Sequence, residues 1–247
     1  MNICLFSEQE INSPLDFADE RAEHIIKILH KKEGETFTAG IIGGNSGTAV
    51  ITKLDTQARK LFFTFTPQGD GKPLNSLKMI IGFPRPIQLK RLLRDIAALG
   101  VCEVHLTGTQ LGEKSYMKST LVEKGNAYKM LLDGTVQAGS THVPELFMHT
   151  TLGECLEHMG LNKASADGAK LICLDNVNPA CSLSAVDFAG AKVVAAIGSE
   201  RGWTDKERAM LEEAGYIRCG MGVRIMRTET AATAAGAIIL NSMGVMN

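Results

Sequence analysis

Two glycine-containing loops near the C-terminal end constrain the fold of this chain more than any other feature. The first loop, residues 197–203 (IGSERGW), directly follows an apolar run at 193–196. The second loop, residues 220–227 (GMGVRIMR), leads into a helix rich in small residues at 228–242. Because glycine has no Cβ, the backbone of such a loop can approach a ligand closely. We therefore expect the two loops to line one pocket formed mostly by main-chain atoms.

Residues 73–247 alternate apolar strand-like runs with helical patterns. This alternation favours an α/β fold with a mostly parallel sheet and helices on both faces. Thr204 and Glu207 have the spacing of a capping box, which predicts that a helix begins where the first loop ends. Strands are predicted at 77–83, 101–107, 170–175, 192–197 and 216–219, and helices at 86–99, 116–136, 151–159, 204–214 and 228–242.

The first 72 residues have a different pattern. After a helical stretch near 19–30, strands are predicted at 36–42, 48–54 and 61–66, with a hairpin turn at 43–47 (GGNSG). Short strands joined by tight turns favour a small β-barrel. The Pro- and Gly-rich segment 67–76 predicts a boundary between domains 1–72 and 73–247.

Composition excludes several classes of protein. No apolar run approaches the roughly 18 residues that a membrane-spanning helix needs. The N-terminal residues Met1–Glu8 lack the basic start and long apolar stretch of a signal peptide, so a cytoplasmic location is expected. The six cysteines and six histidines are dispersed, without the spacing of metal ligands. No metal site is therefore predicted, and the cysteines are expected to be reduced and buried.

The net charge of −1 argues against broad, nonspecific binding to nucleic acid. One segment differs, because residues 78–94 carry five basic side chains and no acidic one. Within it, the helix predicted at 86–99 has one apolar face, and Lys90, Arg91 and Arg94 project from the opposite face. This face is either a solvated helix surface or a stripe that contacts phosphates, and the pattern alone leaves both open.

The two loops resemble those of the RsmE-type methyltransferases in the SPOUT superfamily. The family pattern at the first loop is about Ile-Gly-Pro-Glu-Gly-Gly, and this chain has Ser199 in place of the Pro and Arg201 in place of a Gly. At the second loop the family reads Leu-Gly-x-Arg-Ile-Leu-Arg-x-Glu-Thr-Ala. This chain matches it over residues 221–231, with Met221 and Met226 in place of Leu.

The resemblance implies both an architecture and an activity. Members of the family have a trefoil-knotted C-terminal domain and an N-terminal PUA-like β-barrel, and they form homodimers through the knotted domain. They use S-adenosylmethionine to methylate N3 of a uridine in small-subunit (16S) ribosomal RNA, a step of rRNA processing and ribosome biogenesis. The small residues of 231–237 permit close helix packing within one chain or across such a dimer.

The resemblance also implies which residues contact the cofactor and the RNA. An adenine needs backbone hydrogen-bonding groups and apolar walls, which Leu174, Ile197, Met221, Ile225 and Met226 would supply. The implied cofactor-binding residues are Leu174, Ile197, Gly198, Glu200, Gly202, Met221, Gly222, Ile225, Met226 and Thr230. The implied RNA-binding residues are Arg21, His24, Arg85, Lys90, Arg91, Arg94 and Arg224.

Methylation at N3 requires that nitrogen to lose its proton, because the neutral imide is a poor nucleophile. A fixed cation near the base oxygens would stabilise the developing anion, and Arg227 is the first candidate. A carboxylate, Glu229 or Glu200, would accept the proton or orient the arginine. We predict Arg227 and Glu229 as catalytic residues. The alternative is a mutual salt bridge that only fixes the loop.

The chain departs from the family pattern in the region between the loops and the N-terminal domain. The helix end at 97–101 (AALGV) lacks the family's glutamate, and residues 137–144 (QAGSTHVP) lack a glutamate and an arginine. Both departures bear on RNA recognition. Two other functions therefore stay open: a non-catalytic RNA-binding relative that keeps the pocket, and the same chemistry on another RNA.

Overall fold

The computed structural model describes residues 2–123, 125–160 and 168–246, and the chain divides into two compact units. The first unit comprises Met1–Pro73 and Asp133–Val143, and the second comprises Leu74–Leu132 and Pro144–Asn247. Within the described ranges, every helix is too short or too polar to cross a lipid bilayer.

The first unit contains a five-stranded sheet. Its strands are β1 (Cys4–Phe6), β2 (Leu15–Asp16), β3 (Thr36–Ile41), β4 (Ser46–Asp55) and β5 (Lys60–Gly69). They lie in the order β1-β3-β4-β5-β2, with β1 parallel to β3 and all other neighbours antiparallel. The core includes Phe63, whose ring centroid lies 4.9 Å from that of Phe6 and 5.7 Å from that of Phe37.

The predicted hairpin of the first unit is confirmed, since β3 and β4 pair in antiparallel fashion across a tight connection. Strands β1 and β2 were not predicted, because runs of three and two residues are too short to show a period. The helical stretch expected near 19–30 is helix α1 (Glu20–Glu23) followed by a π-helical turn at His24–Ile28.

The second unit contains a seven-stranded sheet in which every pair of neighbouring strands is parallel. The strands are β6 (Asn75–Gly82), β7 (Val101–Thr107), β8 (Glu145–His149), β9 (Lys170–Leu174), β10 (Cys181–Ser182), β11 (Val193–Ile197) and β12 (Ile217–Gly220). Their order is β10-β12-β9-β11-β6-β7-β8. The predicted mostly parallel sheet is confirmed, and all five residues of β11, near its centre, are buried.

Helices cover both faces of this sheet. The helices that follow β6 in the chain are α2 (Pro86–Ala98), α3 (Thr120–Glu123), α4 (Asn126–Ala138), α5 (Leu152–His158), α6 (Asp205–Glu213) and α7 (Thr228–Ser242). Of these, α2, α5, α6 and α7 pack on the sheet. Helices α5 and α6 share an apolar cluster with Ile80 on β6. Met79, which precedes Ile80 on β6, points to the opposite face of the sheet because side chains alternate along a strand. There its methyl group, with Leu99, packs against Gly236 of α7. The small residue at 236 therefore serves packing within the chain.

One predicted helix boundary is wrong. The helix expected over 116–136 begins as a 3₁₀ turn at Lys114–Lys118, and the extended backbone of Ser119 (ψ 151°) separates that turn from α3. Position 124 of that prediction lies outside the described residues. The segment 67–76, predicted as a domain boundary, contains the end of β5 at Gly69 and the start of β6 at Asn75.

Candidate active site

The two loops line a single cavity, here named the loop cavity, at the carboxyl ends of β9, β11 and β12. Its volume is about 280 Å³. Ligands of parallel α/β sheets bind at this edge, because the strands end there and the connecting loops diverge. The predicted shared pocket is confirmed. The lining residues are Leu174, Asp175, Asn176, Val177, Ile197, Gly198, Ser199, Glu200, Arg201, Gly202, Arg208, Cys219, Met221, Gly222, Arg224, Ile225, Met226, Thr228 and Ala231.

The first loop is held by hydrogen bonds on three sides. Within it, Gly202 N donates to Ser199 O at 2.9 Å. The indole of Trp203, 2% exposed, donates from Nε1 to Leu174 O at 3.3 Å, which ties the loop to the end of β9. Thr228 Oγ1 donates to Gly198 O at 3.3 Å, which ties it to the start of α7. The loop is therefore fixed relative to both elements that flank the loop cavity.

Gly198 illustrates why the first loop contains glycine. A Cβ at this position would stand 3.0 Å from the Cα of Gly202, which is closer than real Cβ contacts usually come. Any larger residue at 198 would widen the turn, and the backbone lining of the loop cavity would change with it.

Helix α6 begins directly after the first loop with the predicted capping box. Thr204 Oγ1 accepts a hydrogen bond from Glu207 N at 3.2 Å, and Glu207 Oε2 accepts one from Thr204 N at 2.9 Å. The other oxygen of this buried carboxylate, Oε1, accepts from Gln110 N at 2.8 Å. Glu207 therefore joins the first loop to the segment after β7.

The second loop is less enclosed. Gly222 has φ +96°, a conformation that side chains with a Cβ rarely adopt, and a Cβ built there would meet open space. Ile225 is 83% exposed and Val223 is fully exposed. In the described range 168–246, backbone groups of 221–226 make no backbone hydrogen bond.

All predicted cofactor residues except Thr230 line the loop cavity. Thr230 lies on α7, where Thr228 and Ala231 face the cavity three positions apart. Because a helix turns about 100° per residue, position 230 points away from the direction that these two share. Its side chain is exposed.

The predicted catalytic pair lies beside the loop cavity rather than in its lining. Arg227 is the exposed N-cap residue of α7, and Glu229 is buried in the first turn of that helix. Among the described residues no salt bridge joins them, so the alternative of a mutual ion pair has no support. Glu229 Oε2 is a buried oxygen without a hydrogen-bond partner in the structure, which is a costly state for a carboxylate.

A second charged group borders the loop cavity and was not predicted. Asp175 follows β9 directly, and its carboxylate accepts a hydrogen bond from Arg208 Nε at 2.6 Å. Arg218 Nη1 lies 3.9 Å from the same carboxylate. The hydrogen bond to Asp175 raises the pKa of Arg208 above its ordinary value. The position of Asp175 at the carboxyl end of a predicted strand was the signal available in the sequence.

The basic stripe of α2 has the predicted exposure. Lys90, Arg91 and Arg94 are exposed, while the apolar residues on the opposite face are buried, namely Leu89, Leu92, Leu93, Ile96 and Ala97. Arg91 Nε lies 3.7 Å from Asp95 Oδ2. Arg85, at the N-cap of α2, places Nε 3.5 Å from Oε2 of the cavity residue Glu200. The stripe thus begins at the loop cavity.

The two RNA-binding residues predicted in the first unit have different surroundings. Arg21 donates to Asp19 Oδ2 at 2.8 Å and to Glu10 Oε1 at 3.1 Å, and its guanidinium lies 4.8 Å from the ring centroid of Phe6. These contacts give Arg21 a structural role. His24 is partly buried, and its Nε2 has no hydrogen-bond partner in the structure.

Comparison with known proteins decides the family. The model of the RNA methyltransferase domain matches residues 71–240. The ribosomal RNA small subunit methyltransferase E of Treponema pallidum is 39% identical over 244 residues, which cover 97% of this chain and 91% of that protein. The chain belongs to the ribosomal RNA small subunit methyltransferase E family. The resemblance inferred from the two loops is confirmed, and with it the class of RNA methyltransferases.

Solved structures of this fold extend over the whole chain. A ribosomal RNA small subunit methyltransferase E from Neisseria gonorrhoeae, bound to S-adenosylmethionine, matches with a TM-score of 0.75 at 21% identity, covering 98% of this chain and 97% of that one. A probable rRNA-methyltransferase from Porphyromonas gingivalis matches with a TM-score of 0.80 at 17% identity, and each chain is fully covered.

One departure from the family pattern has a visible consequence. Where the family has proline, Ser199 accepts a hydrogen bond at its Oγ from Thr109 Oγ1 at 2.9 Å. Proline would fix φ of the first loop directly. Here a side-chain hydrogen bond to the segment after β7 restrains the same position.

Proposed function

We propose that the protein transfers a methyl group from S-adenosylmethionine to N3 of a uridine in 16S ribosomal RNA. The observation that carries this proposal is the loop cavity, which combines backbone groups of both loops with apolar walls from Leu174, Ile197 and Met221. Membership of the ribosomal RNA small subunit methyltransferase E family supports the substrate class.

The residues present fit the cofactor. A nucleoside with a sulfonium and an amino-acid tail needs apolar walls, exposed main-chain groups and a few charged side chains. The loop cavity offers these from β9 and the two loops, with Asp175 and Arg208 at its border. The open flank of Gly222 leaves space that a Cβ would fill. When bound, S-adenosylmethionine supplies an electrophilic methyl group.

The side chains beside the loop cavity prepare the nucleophile. Arg227, exposed at the N-cap of α7, stabilises the anion that forms on the uracil when N3 loses its proton. Glu229 accepts that proton, because its Oε2 lacks a partner in the structure and lies two residues from Arg227. Bound S-adenosylmethionine would then supply the methyl group to the deprotonated N3. No covalent enzyme intermediate is required.

The exposed basic side chains of α2 contact the RNA backbone near the loop cavity. In this proposal Arg85, Lys90, Arg91 and Arg94 bind phosphates, and Arg224 orients the target nucleotide.

The proposal also includes the architecture of the family. The sheet of the first unit closes into a PUA-like barrel that helps to bind RNA, and the C-terminal segment forms a trefoil knot. Two copies dimerise through that segment, and the enzyme acts in the cytoplasm, where its ribosomal substrate is assembled.

The experiment is methylation of small ribosomal subunits from a strain that lacks the gene, with nucleotide-resolved mass spectrometry. We expect the purified protein to add one methyl group at N3 of a single uridine. The Arg227→Ala variant should lose about 100-fold or more in kcat, as removal of one anion-stabilising donor does in other enzymes. Its affinity for S-adenosylmethionine should not change. Arg59→Ala, an exposed arginine of the first unit, is the matched control.

Each other outcome selects a different function. Methylation of a transfer RNA or of large-subunit RNA instead would assign the same chemistry to another RNA. Binding of S-adenosylmethionine and 16S RNA without any methyl transfer would make the protein a non-catalytic RNA-binding relative. Loss of cofactor binding in Arg227→Ala would move that residue from catalysis to the cofactor site.

A further inference from the structure

A cluster of histidine and cysteine side chains lies in the second unit, away from the loop cavity. His105 Nδ1 is 3.1 Å from His149 Nε2, and both rings are buried. One ligand atom from each of His105, His149 and the buried Cys155 lies within 4.8 Å of the others. The ring of His158 has its centroid 5.1 Å from that of His149 and 5.9 Å from that of His105.

Three neighbouring elements bring these side chains together. His105 on β7 and His149 on β8 point to the same face of the sheet, because His105 pairs with Phe147 and His149 follows two residues later. Helix α5 covers this face and presents Cys155 and His158 from consecutive turns, three residues apart. The spacing along the sequence is long and irregular, so no metal-ligand pattern appears before the chain folds.

The distances suit a tetrahedral transition-metal ion. Zinc binds histidine nitrogen at 2.0–2.1 Å in a tetrahedron, which places two such nitrogens about 3.3 Å apart. The observed separation of 3.1 Å between His105 and His149 is close to that value. A zinc-bound thiolate sulfur lies about 3.5 Å from a zinc-bound nitrogen, so Cys155 has to move inward by up to about an ångström from the 4.8 Å limit. Imidazole and thiolate together favour zinc over magnesium or calcium.

An acidic residue orients the first of these ligands. His105 Nε2 lies 3.2 Å from Glu103 Oε2, and Lys78 Nζ lies 2.6 Å from the other oxygen of the same carboxylate. When Nε2–H donates to Glu103, the lone pair of Nδ1 points toward His149. Histidines that bind metals commonly donate their second ring N–H to a carboxylate in this way.

Burial disfavours the charged form of both imidazoles. Burial lowers the pKa of His105 to about 4, and burial also lowers the pKa of His149. Each ring is therefore neutral at neutral pH and keeps one unprotonated nitrogen. Burial raises the pKa of Cys155 to about 12, so in the absence of an ion it carries its thiol proton.

We propose that His105, His149 and Cys155, with His158 as fourth ligand, form a structural zinc site that fastens α5 to β7 and β8. Binding replaces the His105–His149 hydrogen bond with two nitrogen–zinc bonds, and the proton of His149 moves from Nε2 to Nδ1. The Cys155 thiol proton passes to solvent as the sulfur–zinc bond forms. The site is closed, because four protein ligands leave no position for water, and it stands independently of the methyl transfer proposed above.

The test uses the full chain without a histidine tag, freed of metal by a chelator and dialysed against Zn²⁺ or Co²⁺. We expect one zinc ion per chain by elemental analysis and a rise in Tm on zinc binding, since the ion binds the folded state. The cobalt form should show tetrahedral d–d bands in the visible range and a thiolate-to-cobalt charge-transfer band. Glu103→Gln should weaken zinc binding by about tenfold, because it removes only the orienting carboxylate.

Matched variants separate the site from unspecific binding. Cys155→Ser should lose the charge-transfer band, whereas Cys102→Ser, a partly buried cysteine elsewhere in the second unit, should keep it. His158 is exposed, so His158→Ala should fold normally and should bind zinc at least tenfold more weakly than the wild type. The control His142→Ala should keep the zinc affinity of the wild type. Absence of stoichiometric zinc in the wild type, or an unchanged cobalt spectrum in folded Cys155→Ser, would overturn the proposal. Equal zinc affinities of His158→Ala and the wild type would remove His158 from the site.

Discussion

The two loops that form the loop cavity differ in how the rest of the protein holds them. The first loop ends in a buried tryptophan and is connected by hydrogen bonds to β9, to α7 and to the segment after β7. The second loop exposes Val223 and Ile225, and among the described residues its positions 221–226 make no backbone hydrogen bond. One wall of the cavity is thus part of the core, and the other is a surface segment.

The first loop is therefore expected to contribute mainly to the stability of the fold, and the second loop mainly to the binding of a ligand. A wall that shares side chains with the core is positioned before any ligand arrives, so its substitution changes the free energy of unfolding. A segment with few contacts gains order from what it binds, so its substitution changes affinity. The second loop also carries the longer match to the family pattern, over residues 221–231.

The largest expected effect is on the first loop. Trp203→Ala should lower the free energy of unfolding by about 3–5 kcal/mol, because it removes a large buried side chain from a packed cluster. Ile225→Ala, at an 83% exposed position of the second loop, should change it by less than about 0.5 kcal/mol. Urea unfolding of both variants measures this. Equal losses of stability would show that the two loops are equally part of the core.

The next effect is on cofactor affinity through the second loop. Gly222→Trp should weaken binding of S-adenosylmethionine at least 100-fold, about 2.8 kcal/mol, because the indole enters the loop cavity. Gly190→Trp is the matched control, since Gly190 also has a positive φ (+64°) and open space around its missing Cβ. Both variants carry the same kind of backbone strain. Calorimetric titration that finds equal affinities for the two would place the ligand elsewhere.

The sequence predicted the parts of the fold that local pattern controls. The capping box at Thr204 and Glu207, the apolar face of α2 and the parallel sheet follow from spacing and alternation, and the structure has all three. That the two loops share one cavity was predictable, because glycine positions mark close approach of the backbone. The helix expected over 116–136 failed because the extended backbone at Ser119 leaves no mark in hydrophobic periodicity.

Long-range arrangements could not be predicted. Asp175 and Arg208 lie 33 residues apart in sequence, and only the pairing of β9 with β11 and the packing of α6 bring them together. The same holds for His105, His149 and Cys155, which come from two strands and a helix. Strand β8, which carries one of these ligands, was not predicted because its five residues at the edge of the sheet do not form a fully apolar run.

The smallest expected effect concerns the anchor of the first loop. In the wild type, each carboxylate oxygen of Glu207 accepts a hydrogen bond from one backbone N–H, that of Thr204 or that of Gln110. Glu207→Gln keeps the shape of the side chain but leaves a single acceptor oxygen for these two donors. One buried N–H then faces an amide NH₂, at a cost of about 1–3 kcal/mol in the free energy of unfolding. Glu213→Gln, at an exposed position of the same helix, should cost almost nothing. Urea unfolding and cofactor titration of both variants distinguish two roles for the anchor. If Glu207→Gln lost affinity but kept full stability, the first loop would be a recognition segment like the second, and the contrast between them would not hold.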